Sequence, residues 1–398
     1  MKIAIIVRKL NVRGGVQRQA LSLARAYQEA GDDVALYAFV YDKGRCYGDL
    51  LDGLRVTALG YYPAHRNFLF NIFAERRAAR RLAALIDPDT DVLNPHDQVC
   101  YKVAHYFQKS RPGVPAVWTM HDMPTRMFGY RRARELDRGF RRGVAVRLLY
   151  WLADQYEIRR FIRRMERIAV LDSRDQELVK KHFGRDAVIV RNGLDTARFP
   201  YRQRAALGGI RARLLMNGIF FRHRRFEDGI RALKILADRG IDVILSVVGN
   251  YDADPAYYRE LADLCAALGV AGRVKFLGEI PEDALAASYR EHDIFIFPNH
   301  LQSWGLAVFE AMACGTPVIV SESAGASEVL THGENALVVS PMSPERIADA
   351  AGRLMDDGAL YEDLSRAGRA FVEREISWAR TARTMRMLFS EAVKRRKK

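Results

Sequence analysis

Short apolar runs alternate along this chain with stretches whose apolar positions fall three and four residues apart. The first period is that of a buried strand and the second that of a helix lying on it. Residues 2–7 read as a strand. The loop Asn11-Val12-Arg13-Gly14-Gly15 leads into a helix over residues 16–30, with Leu21, Ala24 and Gln28 along one side and Gly31 just past its end. Residues 34–40 form the next strand, so the chain opens as the first unit of a doubly wound sheet. Further strands are expected at residues 55–59, 91–94, 115–120, 168–171 and 188–190, with a long arginine-studded helix at 67–86. Another helix is expected over 144–165, with Trp151, Leu152, Tyr156 and Ile162 available for burial. Ser173 is placed to cap the helix after it.

Asn192-Gly193 is a turn signal, and the alternation then restarts. Strands at 214–218, 242–248, 273–277, 294–297, 318–320 and 336–339 are separated by helices at 226–239, 255–268, 281–291, from 306 to the stop at Gly315, and 344–355. The remainder reads as helical. The pattern divides the chain into residues 1–190, residues 191–372, and a tail, 373–398, whose helix is placed to return to the first domain. No internal sequence repeat is present.

At 398 residues, with 49% hydrophobic and 28% charged residues, the chain has the make-up of a soluble enzyme with an ample core. Cys46, Cys100, Cys265 and Cys314 are scattered, without metal-type pairing or a disulfide framework, which favours a reducing cytosol. The start is too short for a signal peptide and no apolar run approaches the ~20 residues of a membrane span, so the chain reads as neither exported nor spanning. The net charge of +15 is unevenly spread: between Met123 and Arg167 thirteen arginines face five carboxylates. Such a stretch suits nucleic acid, an anionic membrane or a merely solvated helix face. Nucleic acid fits least, because no recognised binding module accompanies the charge. Membrane attraction of about 1 kcal/mol per basic residue would allow peripheral docking but not anchoring.

The richest stretch runs from Phe297 to Leu330. A strand leads through Pro298, Asn299 and His300 to Gln302-Ser303-Trp304-Gly305 and then a helix from Leu306 that carries Glu310. Val318 follows as the next strand, and Gly325 opens a second small-residue helix start before Glu328. Backbone N–H groups and the helix dipole favour an anion at such a helix start. Glu310, one turn inside, could accept hydrogen bonds from ribose hydroxyls. The ordered run Ser303-Trp304-Gly305-Leu306, Glu310, Ala311 to Val318, Gly325 and Glu328 resembles the donor-site signature of the retaining glycosyltransferases of family four. The chain departs from it at the first glutamate, where Gln302 stands.

The resemblance implies an α/β GT-B fold, two Rossmann-like doubly wound domains facing across a cleft. It implies a nucleotide-sugar donor, UDP- or GDP-linked, and a glycan or lipid-linked acceptor. His121 then contacts the transferred sugar, although its position alone equally suits a bond to a loop carbonyl. His96 and Asp97 end the preceding strand in the same way. Gly14 and Gly15 correspond to a loop near the donor phosphates, and Gly218 with Arg225 or Arg224 to the diphosphate grip. Ile219 stands where the family carries an arginine, so that contact does not transfer. Gly278 and Ile280 flank the base, and Gln302, Ser303, Trp304, Gly305, Leu306 and Glu310 complete the donor set. Arg225, Ser303 and the Gly305–Leu306 backbone would stabilise the leaving diphosphate. No acidic pair has metal-ligand spacing, so neither a metal nor a cofactor is expected. Gln302 keeps the length and an acceptor oxygen of glutamate; a hydrogen-bond loss of about 1 kcal/mol slows turnover several-fold without silencing it. The alternatives are a degenerate member that binds a nucleotide or a partner without transfer, and an epimerase of the same fold, for which the acid–base residues are not evident.

Overall fold

The computed structural model describes residues 1–63, 68–136, 141–209, 211–301 and 304–397. The chain divides into two compact units, residues 1–192 with 378–398 and residues 193–377.

Unit 1 begins with β1 (Lys2–Leu10), α1 (Gly15–Glu29), β2 (Asp33–Tyr41), the one-turn α2 (Gly48–Leu51) and β3 (Arg55–Ala58). There follow α3 (Phe68–Ala83), β4 (Val92–Pro95), α4 (Cys100–Ser110) and β5 (Val117–Thr119). The unit's first segment closes with α5 (Arg126–Leu136), α6 (Val144–Arg160), β6 (Arg167–Val170), α7 (Ser173–Phe183) and β7 (Val188–Ile189). All strand pairs are parallel, in the orders β3-β2-β1-β4 and β5-β6-β7. Bridges at Leu93–Ala116 and His96–Thr119 join β4 to β5. Parallel strands covered on both faces read as near-continuous apolar runs. Thus Ile3, Ile5 and Val7 of β1 face α1, while Ala4 and Ile6 belong to the core on the other face.

Unit 2 holds β8 (Ala212–Asn217), α8 (Phe226–Asp238), β9 (Val243–Val248), α9 (Pro255–Ala267), β10 (Val274–Gly278) and α10 (Glu282–Glu291). It continues through β11 (Ile294–Phe297), α11 (Leu306–Ala313), β12 (Val318–Ser321), β13 (Leu337–Val339), α12 (Pro344–Asp356) and α13 (Gly358–Glu375). Its six parallel strands lie in the order β10-β9-β8-β11-β12-β13, a doubly wound sheet whose order reverses between β8 and β11. The last helix, α14 (Trp378–Lys397), packs in unit 1, where Met385, Leu388 and Phe389 join the core of α1 and the Phe389 ring lies 5.6 Å from Tyr27.

Three local expectations change. Asp172, not Ser173, caps α7, its carboxylate accepting from the Asp175 N–H at 2.8 Å. The expected helix at Gly325 is a single five-residue 3-10 turn ending at Val329. On α6, Ile162 just beyond the helix end is buried, but Trp151 is 49% and Leu152 51% exposed, and Leu148 and Tyr156 are exposed too. The helix is held at its far end, where Asp154 and Ile158 are buried, and its first two turns stand clear of the core.

Candidate functional site

In open α/β sheets ligands bind beyond the carboxyl ends of the strands, where the strand order reverses. In unit 2 that place is the ends of β8 and β11. The backbones here run close together. The Gly218 N–H donates to the Val248 carbonyl (2.9 Å) and the Gly249 N–H to the Gly278 carbonyl (2.8 Å). A Cβ on Gly249, at φ +149°, would stand 1.8 Å from the Gly218 oxygen, so only glycine fits. Gly278 ends β10 against the Tyr251 ring, and Ile280, half-buried, follows on the same loop.

After Gly218 the chain turns outward, leaving Ile219 45% exposed, and passes through the 3-10 turn Arg222–Arg224. The three arginines have different fates. Arg222 forks onto Glu260 of α9 at 2.5 and 2.7 Å. Arg225 adopts the left-handed conformation (φ 55°) at the start of α8 and closes on Asp228 at 2.8 and 2.9 Å and on Glu227 at 2.7 Å. Its planar fork is matched to carboxylate there. Arg224 is the one that lies along Gly218, and its Nη1 donates to the Asn299 amide oxygen at 2.8 Å while the Asn299 nitrogen donates to the Arg224 carbonyl at 3.2 Å. Of the two candidates, Arg225 braces the start of α8 and Arg224 lies along Gly218.

The loop after β11 is tied to both neighbours. His300 N–H donates to the His223 carbonyl (2.8 Å), and Ser323, beyond β12, donates to the Asn299 carbonyl at 3.1 Å and accepts from the Leu301 N–H at 3.3 Å. Trp304 is buried against Phe309, ring centroids 4.7 Å apart. Gly305, at φ 81°, turns the chain into α11; among the described residues its first turn has no side-chain cap, and the Val308 N–H donates back to the Gly305 carbonyl at 3.1 Å. Glu310 is buried on the next turn. The Tyr289 hydroxyl donates to its Oε2 at 3.0 Å and itself accepts from Asn217 Nδ2 at 2.9 Å, which couples α11 to the end of β8. Burial, reinforced by the Glu310 carboxylate, pushes the Tyr289 hydroxyl well above its usual range, so it remains a proton donor. Gln302 and Ser303 lie outside the described residues. Glu328 is exposed on its 3-10 turn.

In unit 1, Gly14 precedes α1 in an extended conformation, and a Cβ on Gly15 would meet nothing within 4 Å. Neither backbone conformation needs glycine; the space beside Gly15 is open, while a Cβ on Gly14 would stand 2.7 Å from Gln17 Oε1. His121 ends β5 and His96 follows β4, both buried, with His96 Nδ1 3.2 Å from His121 Nε2 and His96 Nε2 2.9 Å from Asn94 Oδ1. Burial pushes His121 down to about 4 against a partial lift from Asp97, whose carboxylate pairs with Arg8 at 3.2 Å. Among the described residues, the hydrogen-bond partner of the His121 ring is His96. Sequence reasoning missed Asn94, Asn299 and Ser323, although all three sit at strand ends, where polar residues after apolar runs are the signal. Tyr289 sits within a helix and offers no such signal.

Residues 13–198 match the model of Glycosyltransferase Family 4, and residues 200–371 that of Glycosyl transferases group 1. The D-inositol 3-phosphate glycosyltransferase of Corynebacterium glutamicum is 37% identical over 171 residues, 41% of this chain and 40% of that protein's length. The glycogen synthase of Mycobacterium tuberculosis is 25% identical over 93% of this chain and 89% of its own. Among solved structures, Anabaena HepE in complex with UDP and glucose superposes with a TM-score of 0.73 at 17% identity, covering 98% of this chain and all of the other. Sucrose-phosphate synthase from Thermosynechococcus elongatus gives 0.72 at 20% over 98% of both chains. The fold is that of the GT-B glycosyltransferases. One glycosyltransferase family model thus matches each unit, and each covers a little under half of the chain.

Proposed function

We propose that the protein transfers a hexose-type sugar from a UDP- or GDP-linked donor to a glycan or lipid-linked acceptor, with retention of configuration and without a metal ion, in polysaccharide or lipopolysaccharide biosynthesis. The observation that carries this is the placement of Gly218, Arg224, Asn299 and the Gly305 start of α11 at the point where strand order reverses. Arg224 and the α11 N–H groups supply preorganised positive charge for the leaving diphosphate. Buried Glu310 offers a carboxylate to the ribose. As the C1–O bond to the diphosphate breaks, the acceptor oxygen bonds to C1 on the same face, and its proton passes to the leaving phosphate oxygen. In unit 1, His121 is the residue we assign to a sugar hydroxyl.

The cytoplasmic membrane face is the proposed location. Leu148, Trp151, Leu152 and Tyr156 of α6 are exposed beside Phe73 of α3, with Arg76 between the Phe73 and Tyr156 rings (6.0 and 4.7 Å). Arg141, Arg142 and Arg147 are exposed nearby in the chain. This mixture suits the interface of an anionic bilayer. Among the described residues no helix is long and apolar enough to cross one.

The test is a panel of UDP-, GDP- and ADP-sugars, with nucleotide release followed by mass spectrometry and binding by thermal shift. Release of one nucleotide, increased by a lipid-linked acceptor, is the expected result. Stabilisation without release under any acceptor would make the chain a nucleotide-binding module, and no binding would remove the donor site.

A further inference from the structure

The His96–His121 pair carries information that neither ring holds alone. Asn94, buried at β4, donates through Nδ2 to the Val117 carbonyl at 2.8 Å and to Thr119 Oγ1 at 3.0 Å. A backbone carbonyl can only accept, so that end of the amide is the NH2 and the other is the oxygen. Asn94 Oδ1 stands 2.9 Å from His96 Nε2 and has no proton to give. The proton in that bond therefore belongs to His96 Nε2. His96 is fully enclosed and bonded to no carboxylate, and its burial, with the neighbouring His121, holds it well below the usual imidazole range. A neutral ring protonated at Nε2 bears a lone pair at Nδ1. That atom lies 3.2 Å from His121 Nε2, which must then be the donor.

We propose that Asn94 and His96 are positioning residues that lock His121 as its Nε2–H tautomer, so that the ring offers a hydrogen-bond acceptor at Nδ1 to a ligand hydroxyl and disfavours groups that can only accept. The direction of the whole relay is set by the Val117 carbonyl, which belongs to β5 itself. Among the described residues His96 is the one side-chain hydrogen-bond partner of His121, and the residue as a whole is 8% exposed. The ligand chemistry that fits is a neutral polyol whose hydroxyl donates; a carbonyl or ether oxygen at the same place would face a lone pair. Naming that polyol as a sugar rests on the transferase reading, whereas the tautomer does not.

Two experiments separate these layers. The full chain, labelled with 15N at its nine histidines, is examined near neutral pH by long-range 1H–15N correlation, with the His96 and His121 signals assigned from the His96→Gln and His121→Gln variants. The expected spectrum shows both rings neutral, protonated at Nε2 and bare at Nδ1. A His121 ring protonated at Nδ1, or a cationic His96, overturns the proposal whether or not the chain transfers sugar. The second compares His96→Leu with His96→Gln, whose amide can accept from His121 and donate to Asn94. His96→Leu is expected to mix the His121 tautomers and lower turnover three- to tenfold, the loss of one neutral hydrogen bond, with nucleotide affinity unchanged, and His96→Gln to restore both the tautomer and the rate. A uniform His121 tautomer in His96→Leu, or equal loss of nucleotide affinity and turnover in both variants, would reduce His96 to a packing role and overturn the proposal.

Discussion

Arg224 and Arg225 are adjacent, identical and oppositely employed. Replacing Arg224 by Ala removes the cation that lies along Gly218 and should weaken UDP or GDP binding by about ten- to a hundredfold, the range of a hydrogen bond to a charged group. Isothermal calorimetry reads this directly, and stability should hardly change. Arg225→Ala has the converse signature. Asp228 is buried and would lose its fork, so the melting temperature should fall while nucleotide affinity stays within a few-fold. Similar affinity losses in both variants would argue against this division. The composition Arg-His-Arg-Arg was legible, but which guanidinium faces the glycine was not. That choice depends on the left-handed turn at Arg225 and on carboxylates supplied by α8.

At the scale of elements, the base of α6 is held by a buried ionic network. Lys102 of α4 lies 2.9 Å from both Glu75 of α3 and Glu157 of α6, and Arg126 of α5 reaches Glu157 and Asp154 at 3.3 and 3.4 Å. Burial opposes ionisation of Glu157, yet Lys102 and Arg126 outweigh it and hold the carboxyl below its usual range. A depressed carboxyl contributes stability above its unfolded value, near 4.3, that is lost as pH falls through the folded value. Lys102 is the mirror case: burial pulls it down, Glu157 and Glu75 lift it further, and its contribution is lost only as pH rises above about 10.4. Lys102→Met should therefore destabilise unit 1 at pH 7 by about 3–5 kcal/mol, because Glu75 stays buried without its lysine and Glu157 keeps only Arg126 of the two cations. The deficit should shrink as pH falls and Glu157 protonates, because the lost ion pair then no longer matters. Urea denaturation from pH 4 to 8 measures both, and a pH-independent deficit would show that the lysine acts by packing alone. The arginine-rich helices were visible in the sequence; the outward facing of Trp151 and Leu152 was not, since helical spacing cannot tell a core from a surface that meets something else.

For the molecule as a whole, the tail and the basic surface each carry a prediction. Met385, Leu388 and Phe389 of α14 are buried in unit 1, and burying three such side chains is worth roughly 5–9 kcal/mol, comparable with the net stability of a domain. Ending the chain at Ser377 should therefore remove the unit 1 transition from calorimetry and leave that of unit 2 near its original temperature. Two unchanged transitions would mean that α14 is an accessory. The second prediction concerns membranes. The protein should float with vesicles containing anionic lipid and not with neutral ones, and raising the salt should release it. Trp151→Ser with Leu152→Ser should reduce flotation several-fold without altering UDP binding in solution.

The alternation of apolar runs by itself determined that the chain makes two parallel, helix-covered sheets, because a strand buried on both faces must be apolar throughout and a covering helix must repeat its apolar positions every three to four residues. The order around Trp304-Gly305-Leu306 and Glu310 likewise marked the start of α11 as the candidate site, since strand, loop and helix start are contiguous in sequence. Only the tertiary structure decided which polar groups meet. Asn94, His96 and His121 come from two strands, and Arg224, Asn299 and Ser323 from three loops, brought within hydrogen-bond reach by strand order. Direction and protonation in such clusters follow from distances of about 3 Å across strands, and one-dimensional spacing contains no record of them.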